Sequence, residues 1–264
     1  MPTVLVADLH GQLNDRFPFE NGAVWDPVGL QLGALDDDAG VIGVCHEVNG
    51  DVVTQALTSG VGTLVSYHPL LFDSVTAVVG GQTPAGRALR LLRGGLSLIV
   101  VHTAMDVAPA GTGDSLLEVF GMATIGSFAD PGEESGFWIG RHGRLAEPTT
   151  LASFASNVSE VLSTSVRFAG ESEQTIRTVG VVPGSGSVYI PEAAGVVDVL
   201  VTGDVSHHRA QDSMQRGLAV VDAGHIPTER PGVEHLYASV CDVAPDALFI
   251  ASDPHPWRDV QWKT

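Results

Sequence analysis

Histidines and carboxylates recur at a fixed spacing in two distant parts of the chain. His102 precedes Asp106 by four residues, and His225 precedes Glu229 by four residues. Imidazole together with carboxylate is a donor set that Zn, Mn and Fe take in proteins. A single histidine of this kind is more often hydrogen-bonded or exposed than bound to a metal. The repetition of the unit therefore predicts a site for one metal ion, or for two ions that share a carboxylate.

Two further histidines follow apolar runs. His68 stands in SYHPLLF, beside Tyr67, and His208 stands in the turn after VLVT. His68 could bind a metal or could be one more residue at a loop entrance. Because imidazole titrates near neutral pH, His102 or His208 could shuttle protons during a reaction.

The stretch Gly184-Ser185-Gly186 offers a different chemistry. Backbone N–H groups in a glycine-rich turn before a helix can cradle a phosphate. The stretch lacks a further glycine at the right spacing and the lysine of a P-loop. A plain tight turn is therefore the more frequent meaning of this pattern.

Six short apolar runs are predicted to be the strands that position these residues. They lie at 41–45, 63–67, 96–101, 177–182, 198–202 and 218–223. They are rich in β-branched residues and do not alternate with polar ones, which suits strands covered on both faces. Helix candidates lie between them, at 50–60, 83–95, 187–196 and 206–217. The order strand, helix, strand, helix, strand thus occurs twice, as in layered α/β folds with right-handed crossovers.

The two runs of elements can be laid over each other as a degenerate repeat. The matching pairs are Gly43 with Gly180, Leu64 with Leu200, and Val101 with Val221. Two generic β-α-β patterns could also agree this well by accident. Ligands of open α/β sheets bind beyond the carboxyl ends of the strands, so the polar residues named above are expected to face one cleft.

The expected fold is α/β, with two pseudo-symmetric three-layer halves and the metal site in the cleft between them. The first half is assigned to residues 1–125, a connecting segment to 126–147, and the second half to 148–264. The connecting region is rich in glycine and turn residues, and a short hairpin is expected around GFWIGRHGRL. The residues that follow, 149–164, have the apolar periodicity of a helix.

Composition limits the partners that the chain can have. Its 31 acidic and 13 basic residues give a net charge of −18, which disfavours binding to nucleic acid. Apolar runs are too short for a membrane helix, and the first residues lack the pattern of a secretion signal, so a cytoplasmic location is expected. Two cysteines, Cys45 and Cys241, are expected to be buried thiols rather than a disulfide framework or a zinc site.

Six motifs together resemble a known family. In chain order they are WDPVGLQLG, SYHPLLF, VHTAMDVAPAGTGDSLLEVFG, VVPGSGS, VLVTGDVSHH and AGHIPTER. This order is similar to that of the GTP cyclohydrolase 1 type 2 homologs, or dinuclear metal-centre proteins, and it spans residues 25–240. The resemblance implies two similar α/β halves, a dinuclear metal site in the cleft between them, and a toroidal homohexamer. The short linker resembles the form of the family that lacks an inserted domain.

The resemblance also implies metal ligands, with one departure. The matching positions are His68, Asp106, His225 and Glu229, with the glutamate bridging two ions. Where the family has a further histidine, this chain has Tyr67. A phenol with a pKa near 10 is a poorer ligand at pH 7 than neutral imidazole. The expectation is a site of His68, Asp106 and Glu229 that keeps its metal, and a weak second site that depends on Tyr67 and water.

Three more residues are tied to this expectation. The family usually has an aspartate near the end of the first strand, where this chain has His46 and Glu47. Either could compensate for the departure, or both could be incidental. His102 is expected to lie behind the ligands and to orient Asp106 or a water molecule.

Two functions remain open. One is a metal-dependent hydrolase of a nucleotide or related small molecule, in which one or two divalent ions (Zn, Fe or Mn) activate water. The other is a non-catalytic oligomer that holds metal and acts as a scaffold or chaperone, which the departure at Tyr67 favours. A small-molecule substrate and self-association as a homohexamer are the expected partnerships, and nucleic acid and membranes are not expected.

Overall fold

The chain builds two β-sheets with helices packed on them. The computed structural model describes residues 4–130 and 137–250. The strands in these ranges are β1 (Gly29–Leu32), β2 (Val41–Cys45), β3 (Val61–Ser66), β4 (Ser97–Val100), β5 (Thr124–Phe128), β6 (Gly140–Thr150), β7 (Arg167–Ala169), β8 (Thr175–Val181), β9 (Val199–Thr202), β10 (Ala219–Asp222) and β11 (Leu248–Phe249). The first sheet has the order β1-β4-β3-β2-β11, and the second has the order β5-β6-β8-β9-β10-β7.

Nine helices lie in the same described ranges. They are α1 (Val6–Arg16), α2 (Gly50–Thr58), α3 (Pro84–Arg93), α4 (His102–Val107), α5 (Thr112–Val119), α6 (Leu151–Val161), α7 (Ile190–Ala193), α8 (His207–Gln215) and α9 (His225–Cys241). The helix expected at 187–196 is shorter than predicted, because a 3-10 turn at Gly186–Tyr189 precedes the single turn of α7.

Both halves contain the predicted strand-helix-strand-helix-strand unit. β2, β3 and β4 are parallel neighbours joined through α2 and α3. β8, β9 and β10 are parallel neighbours joined through α7 and α8. Every residue of β4, β9 and β10 is buried, which explains why these strands read as unbroken apolar runs. The prediction of an α/β fold with two similar halves is confirmed.

Strand register supports the first two positions of the predicted repeat. Gly43 lies opposite Leu64 in the first sheet, and Gly180 lies opposite Leu200 in the second. Equivalent residues therefore pair with each other in both halves. This agreement in register is more specific than a shared order of elements.

The third position of the predicted repeat is wrong by two residues. Leu98 and Val220 lie opposite the two leucines just named, so these residues are equivalent. They are 122 residues apart, whereas Val101 and Val221 are 120 apart. The offset changes between the second and third strands because the connection from β3 to β4 is longer than the connection from β9 to β10.

The two halves exchange helices along the chain. Leu116 and Leu117 of α5 pack in the core of the second half, against residues such as Phe154. Leu236 of α9 packs in the core of the first half, together with Phe17. The strand β11 also returns to the first sheet, beside β2. α9 therefore begins directly after β10 in the second half and ends against the first half.

The region predicted to connect the halves contributes strands to the second sheet. β5 and β6 are antiparallel partners, and β6 continues the sheet to β8. The short hairpin expected around GFWIGRHGRL is therefore wrong in its position, because Gly140 and the residues after it lie in one strand, β6, whose partner β5 precedes the stretch. Residues 131–136 lie outside the described residues. The side chains of β5 are mostly exposed, so this strand lacks the apolar run by which the six predicted strands were recognised.

Two expectations from composition can be compared with the structure. No helix within residues 4–130 and 137–250 has the length and apolar character needed to cross a membrane. Both cysteines are free: Cys45 is buried, and Cys241 is partly buried. Burial raises the pKa of the Cys45 thiol to about 12, so this thiol stays protonated.

Asp198 joins the start of β9 to its neighbour β8. Its Oδ2 accepts hydrogen bonds from the backbone N–H groups of Arg177 and Thr178, both at 2.8 Å. Partial burial tends to raise the pKa of the Asp198 carboxyl. These hydrogen bonds outweigh burial and bring that pKa below its usual value of 3.8.

Replacing Asp198 by Asn should remove a stabilisation that depends on pH. Because the folded-state pKa is lowered, the carboxylate stabilises the fold above the unfolded-state pKa of about 3.9, and this contribution disappears as the pH falls through the folded-state value. We expect D198N to lose about 1 kcal/mol of unfolding free energy near neutral pH. Urea unfolding of both proteins at several pH values measures the difference. A difference that does not shrink in acid would contradict this assignment.

Candidate metal centre

The carboxyl ends of the parallel strands bring several polar side chains together. His46 directly follows β2, and His68 follows β3 after one residue. His225 is the first residue of α9, and Glu229 lies one turn later on the same face of that helix. We call these four residues the Glu229 cluster. As predicted, residues from strand ends of both halves meet there.

Glu229 lies at the centre of this cluster and is 3% exposed. Its Oε2 accepts hydrogen bonds from Nε2 of His46 at 2.7 Å and from Nε2 of His68 at 3.1 Å. Nε2 of His225 lies 3.0 Å from the other oxygen, Oε1. Three imidazole nitrogens therefore face one buried carboxylate.

The charges in the cluster hold Glu229 ionised. Burial acts to raise the pKa of this carboxyl, but the charge of His68 and the hydrogen bonds from the histidines lower it well below its usual value of 4.5. Burial also acts to lower the pKa of His225. The hydrogen bonds and charges of Glu229 and Asp204 outweigh burial and raise the pKa of this imidazole to about 9. The carboxylate is thus a permanent acceptor at neutral pH.

Asp204 fixes the ring of His225 from behind. Its Oδ2 lies 2.7 Å from Nδ1 of His225, so the proton on Nδ1 points to Asp204 and Nε2 points to Glu229. A carboxylate on the far nitrogen is the usual support of a metal-binding histidine, because it fixes the tautomer and makes the imidazole more basic.

The glycine-rich turn after β8 lies against the cluster but is built as a tight turn. The N–H of Gly184 donates to Oγ1 of Thr228, and the N–H of Gly186 donates to Oγ1 of Thr202. Because both N–H groups are used within the protein, they are not free to cradle a phosphate. Gly184 has φ +69, and a Cβ there would overlap Oε1 of Glu229.

Asp106 has hydrogen-bond partners of its own outside the cluster. Its Oδ1 accepts hydrogen bonds from the hydroxyl of Tyr67 at 2.7 Å and from that of Thr112 at 2.5 Å. Burial raises the pKa of Asp106. Burial, with the charges of Asp106 and Glu229, raises the pKa of Tyr67 well above its usual value of 10. Tyr67 is therefore a protonated hydrogen-bond donor, which makes it a poor metal ligand.

His102 is held by Asp26, which the motif WDPVGLQLG supplies. Nδ1 of His102 lies 2.8 Å from Oδ2 of Asp26, which also accepts the backbone N–H of Thr103 at 3.0 Å. Burial acts to lower the pKa of His102, but the hydrogen bond and charge of Asp26 raise it. The ring of His102 lies 5.0 Å from that of His68, so it borders the cluster.

The backbone of His102 is strained. The residue has φ +25, a region that side chains rarely adopt. By the register of the sheets, the equivalent residue in the second half is Gly224, which has φ +83. A histidine in this backbone conformation lowers the stability of the fold, whereas the glycine of the other half does not. Its presence at this position therefore points to a functional role.

His208 and Glu47 lie apart from the cluster. His208 is exposed at the start of α8, and its one ring contact within the described residues is with His207. Glu47 is partly exposed and belongs to no group of metal-ligating side chains in the described ranges. Of the two residues weighed at the end of the first strand, His46 is the one that reaches Glu229.

The donor set fits a divalent metal ion. The ligand atoms of His46, His68 and Glu229 lie within 4.8 Å of one another. Bonds to zinc of about 2.0–2.2 Å allow two ligand atoms on one ion to be up to about 4.4 Å apart, so a small movement would bring these atoms onto one ion. Imidazole and carboxylate suit zinc, iron or manganese.

An α/β fold in two similar halves, with histidines and a carboxylate gathered between them, defines a class of candidate metal-binding proteins. The chain belongs to the family described as Duf34/NIF3 (NGG1p interacting factor 3), whose model matches residues 4–256. The family resemblance inferred from the motifs is confirmed.

Two relatives are each 30% identical to this chain, and both are named GTP cyclohydrolase 1 type 2 homolog. The protein of Streptomyces coelicolor matches over 253 residues, which cover 93% of this chain and 86% of the relative. The protein of Halobacterium salinarum matches over 258 residues, which cover 95% of this chain and 98% of the relative. A relative from Staphylococcus aureus aligns over 328 positions while covering 83% of this chain, so it carries residues that this shorter chain lacks.

Solved structures share the fold. The Staphylococcus aureus protein SA1388 superposes with a TM-score of 0.86 at 25% identity, covering 97% of this chain and 99% of that one. A Bacillus cereus protein related to NIF3 superposes with a TM-score of 0.84 at 20% identity, covering 98% of this chain and 100% of that one.

Alanine at Gly184 should damage the cluster more than the fold. The change places a methyl group against Glu229 and adds the strain of a left-handed residue, about 1 kcal/mol. Gly60 has φ +68 and nothing within 4 Å of an added Cβ, so G60A adds the strain alone. We expect G184A to lose more stability than G60A, because it adds a clash to the strain, and G184A alone to bind Zn²⁺ at least about tenfold more weakly. Thermal unfolding and calorimetric titration measure the two effects, and equal zinc affinities would refute the expected clash.

Proposed function

We propose that this protein is a metal-dependent hydrolase of a small molecule that contains a planar ring, such as a nucleotide. The observation that carries the proposal is the convergence of His46, His68 and His225 on the buried carboxylate of Glu229, at 2.7 to 3.1 Å. One or two divalent ions, zinc, iron or manganese, would be held there. The name shared by the relatives, GTP cyclohydrolase 1 type 2 homolog, is consistent with such a substrate.

The metal would supply Lewis acidity, lowering the pKa of water and polarising the bond under attack. The protein's own residues prepare the place for it. Asp204 and Gly184 fix His225 and Glu229 from two sides, through a hydrogen bond and through close packing. Because the carboxylate is buried and ionised, it does not need to lose a proton when a cation binds.

His102 is the residue best placed to move a proton. The Nδ1–H of its ring donates to Asp26, which leaves the lone pair on Nε2 able to accept a proton. Its ring lies next to that of His68, at the border of the cluster. In this role Asp26 is a positioning residue that fixes the tautomer of His102.

Two exposed aromatic side chains support a substrate with a planar ring. Trp25 and Phe72 are 57% and 53% exposed, and their ring centroids lie 5.9 Å apart. Trp25 also meets His102 edge-on, with centroids 6.5 Å apart. Large aromatic faces beside a polar site favour stacking with a flat, apolar group.

The remaining expectations concern the protein's surroundings. We propose a homohexamer in the cytoplasm, with a small molecule as the bound partner and without nucleic acid. The net charge of −18 supports the last point, because phosphate backbones would be repelled. Gel filtration with light scattering would give the number of chains in the particle.

Metal analysis followed by a substrate screen tests the proposed function. The protein is purified without chelator, its zinc, iron and manganese are measured, and nucleotides and related ring compounds are screened for hydrolysis. We expect turnover that a chelator abolishes and added metal restores. E229Q is the matched control, because it keeps the size of the side chain and loses the charge. It should bind at least about 100-fold less tightly. Wild-type protein with less than about 0.2 ions per chain, even after metal is supplied, would refute the proposal.

A non-catalytic role is the second candidate. The hydrogen bond from Tyr67 to Asp106 favours it, because it engages a carboxylate that the resemblance assigns to the metal. In that case the protein would hold metal as an oligomeric scaffold or chaperone. Bound metal without turnover of any compound in the screen would support this reading.

His102→Gln should separate proton transfer from metal binding. We expect metal content to stay unchanged and kcat to fall by roughly 10². Because the pKa of His102 is raised, the neutral base forms only above the usual value of about 6.5. Wild-type activity should therefore rise with pH through that raised pKa, and the variant should lack this limb. A variant that keeps the same pH profile would exclude His102 as the base.

A further inference from the structure

The two oxygens of Glu229 face different partners. Oε2 is shared by His46 and His68, whereas Oε1 faces His225. In the described residues, His46, His68 and Glu229 form the group of three ligand atoms that lie within 4.8 Å of one another, and His225 is not part of it. The cluster therefore has one compact side with three donors and one open side with two.

The backbone and a neighbouring ring fix His46 and His68 beside each other. The N–H of His68 donates to the carbonyl of His46 at 2.8 Å, which continues the pairing of β2 with β3. The ring of Tyr67 stacks on that of His46, with centroids 5.7 Å apart and planes 20° apart. The two imidazoles are thus placed before any ion arrives, which lowers the entropic cost of binding.

Asp106 is not one of the three residues of this compact side. The hydroxyl groups of Tyr67 and Thr112 both donate to its Oδ1, and both residues are buried, at 2% and 0% exposure. Oδ1 therefore serves these two hydroxyl groups, and Asp106 does not belong to the described group of side chains whose ligand atoms lie within 4.8 Å of one another.

From this geometry we infer that a single divalent ion, zinc or iron, is held by Nε2 of His46, Nε2 of His68 and Oε2 of Glu229. His46 takes the place that the resemblance gives to Asp106, and Tyr67 serves the site by engaging Asp106 and stacking on His46. Two histidines and one carboxylate occur as ligands in catalytic zinc sites and in non-haem iron sites, and they leave a position open for water or substrate.

The inference rests on the proposed function, since it concerns the same site, and a pair of variants tests it. The metal-free full-length protein is titrated with Zn²⁺ by calorimetry and with Co²⁺ by visible absorption. We expect one ion per chain in the wild type. H46Q keeps a donor to Glu229 but loses the ligand, and it should bind at least about 100-fold more weakly. D106N keeps an oxygen to accept from Tyr67 and Thr112, and it should bind within about threefold of wild type with the same cobalt spectrum.

The opposite pattern would overturn the inference. A strong loss in D106N with little change in H46Q would return the ligand role to Asp106, and two ions per wild-type chain would exclude a single site. Circular dichroism checks that the variants fold. If H46Q does not fold, the number of ions bound per wild-type chain and the metal affinity of D106N still test the inference. Wild-type protein that binds no ion would refute the proposed function itself, so the two failures are distinguishable.

Discussion

Burying the charge of Glu229 is the constraint on which the rest of the structure depends. Removing a carboxylate from water costs several kcal/mol unless donors and opposite charge replace the lost hydration. Here three imidazoles from three different strand ends approach the carboxylate, and the charge of His68 helps to keep it ionised. Each donor requires its own support, such as Asp204 behind His225. The cluster is therefore stable only when both halves of the fold are in place.

The exchange of helices between the halves meets this requirement. α9 carries His225 and Glu229 in its first turns, at the cleft, while its later residues pack in the core of the first half. α5 packs in the other direction, in the core of the second half. Any movement of one half against the other would have to pull a helix out of a core. A rigid cleft of this kind holds donors at fixed places, which a metal site needs.

The sequence predicted the framework well because buried parallel strands have a strong signal. Unbroken apolar runs located the three parallel strands of each sheet, and the polar residues after them included His68, which contacts Glu229 in the structure. The role of His46 was left open, although it directly follows a strand as the others do, because its direction depends on packing against Tyr67. The partners of Asp106 could not be predicted either, since a hydrogen bond from Thr112 depends on how two short helices meet. Spacing identifies candidate donors, and tertiary packing decides which of them face one another.

The two repeated His-x₃-acid units differ in their contacts, and they are offset by one residue in the register of the sheets. Strand register makes His102 equivalent to Gly224, so His225 lies one position further along the chain than His102, although each is the first residue of its helix. In α9 Nε2 of the histidine lies 3.0 Å from Oε1 of the glutamate. In α4 the histidine takes a left-handed backbone and turns to Asp26. The two units thus share a spacing, but their histidines have different partners. This difference is why we assign Glu229 of the second unit to the metal and His102 of the first unit to proton transfer.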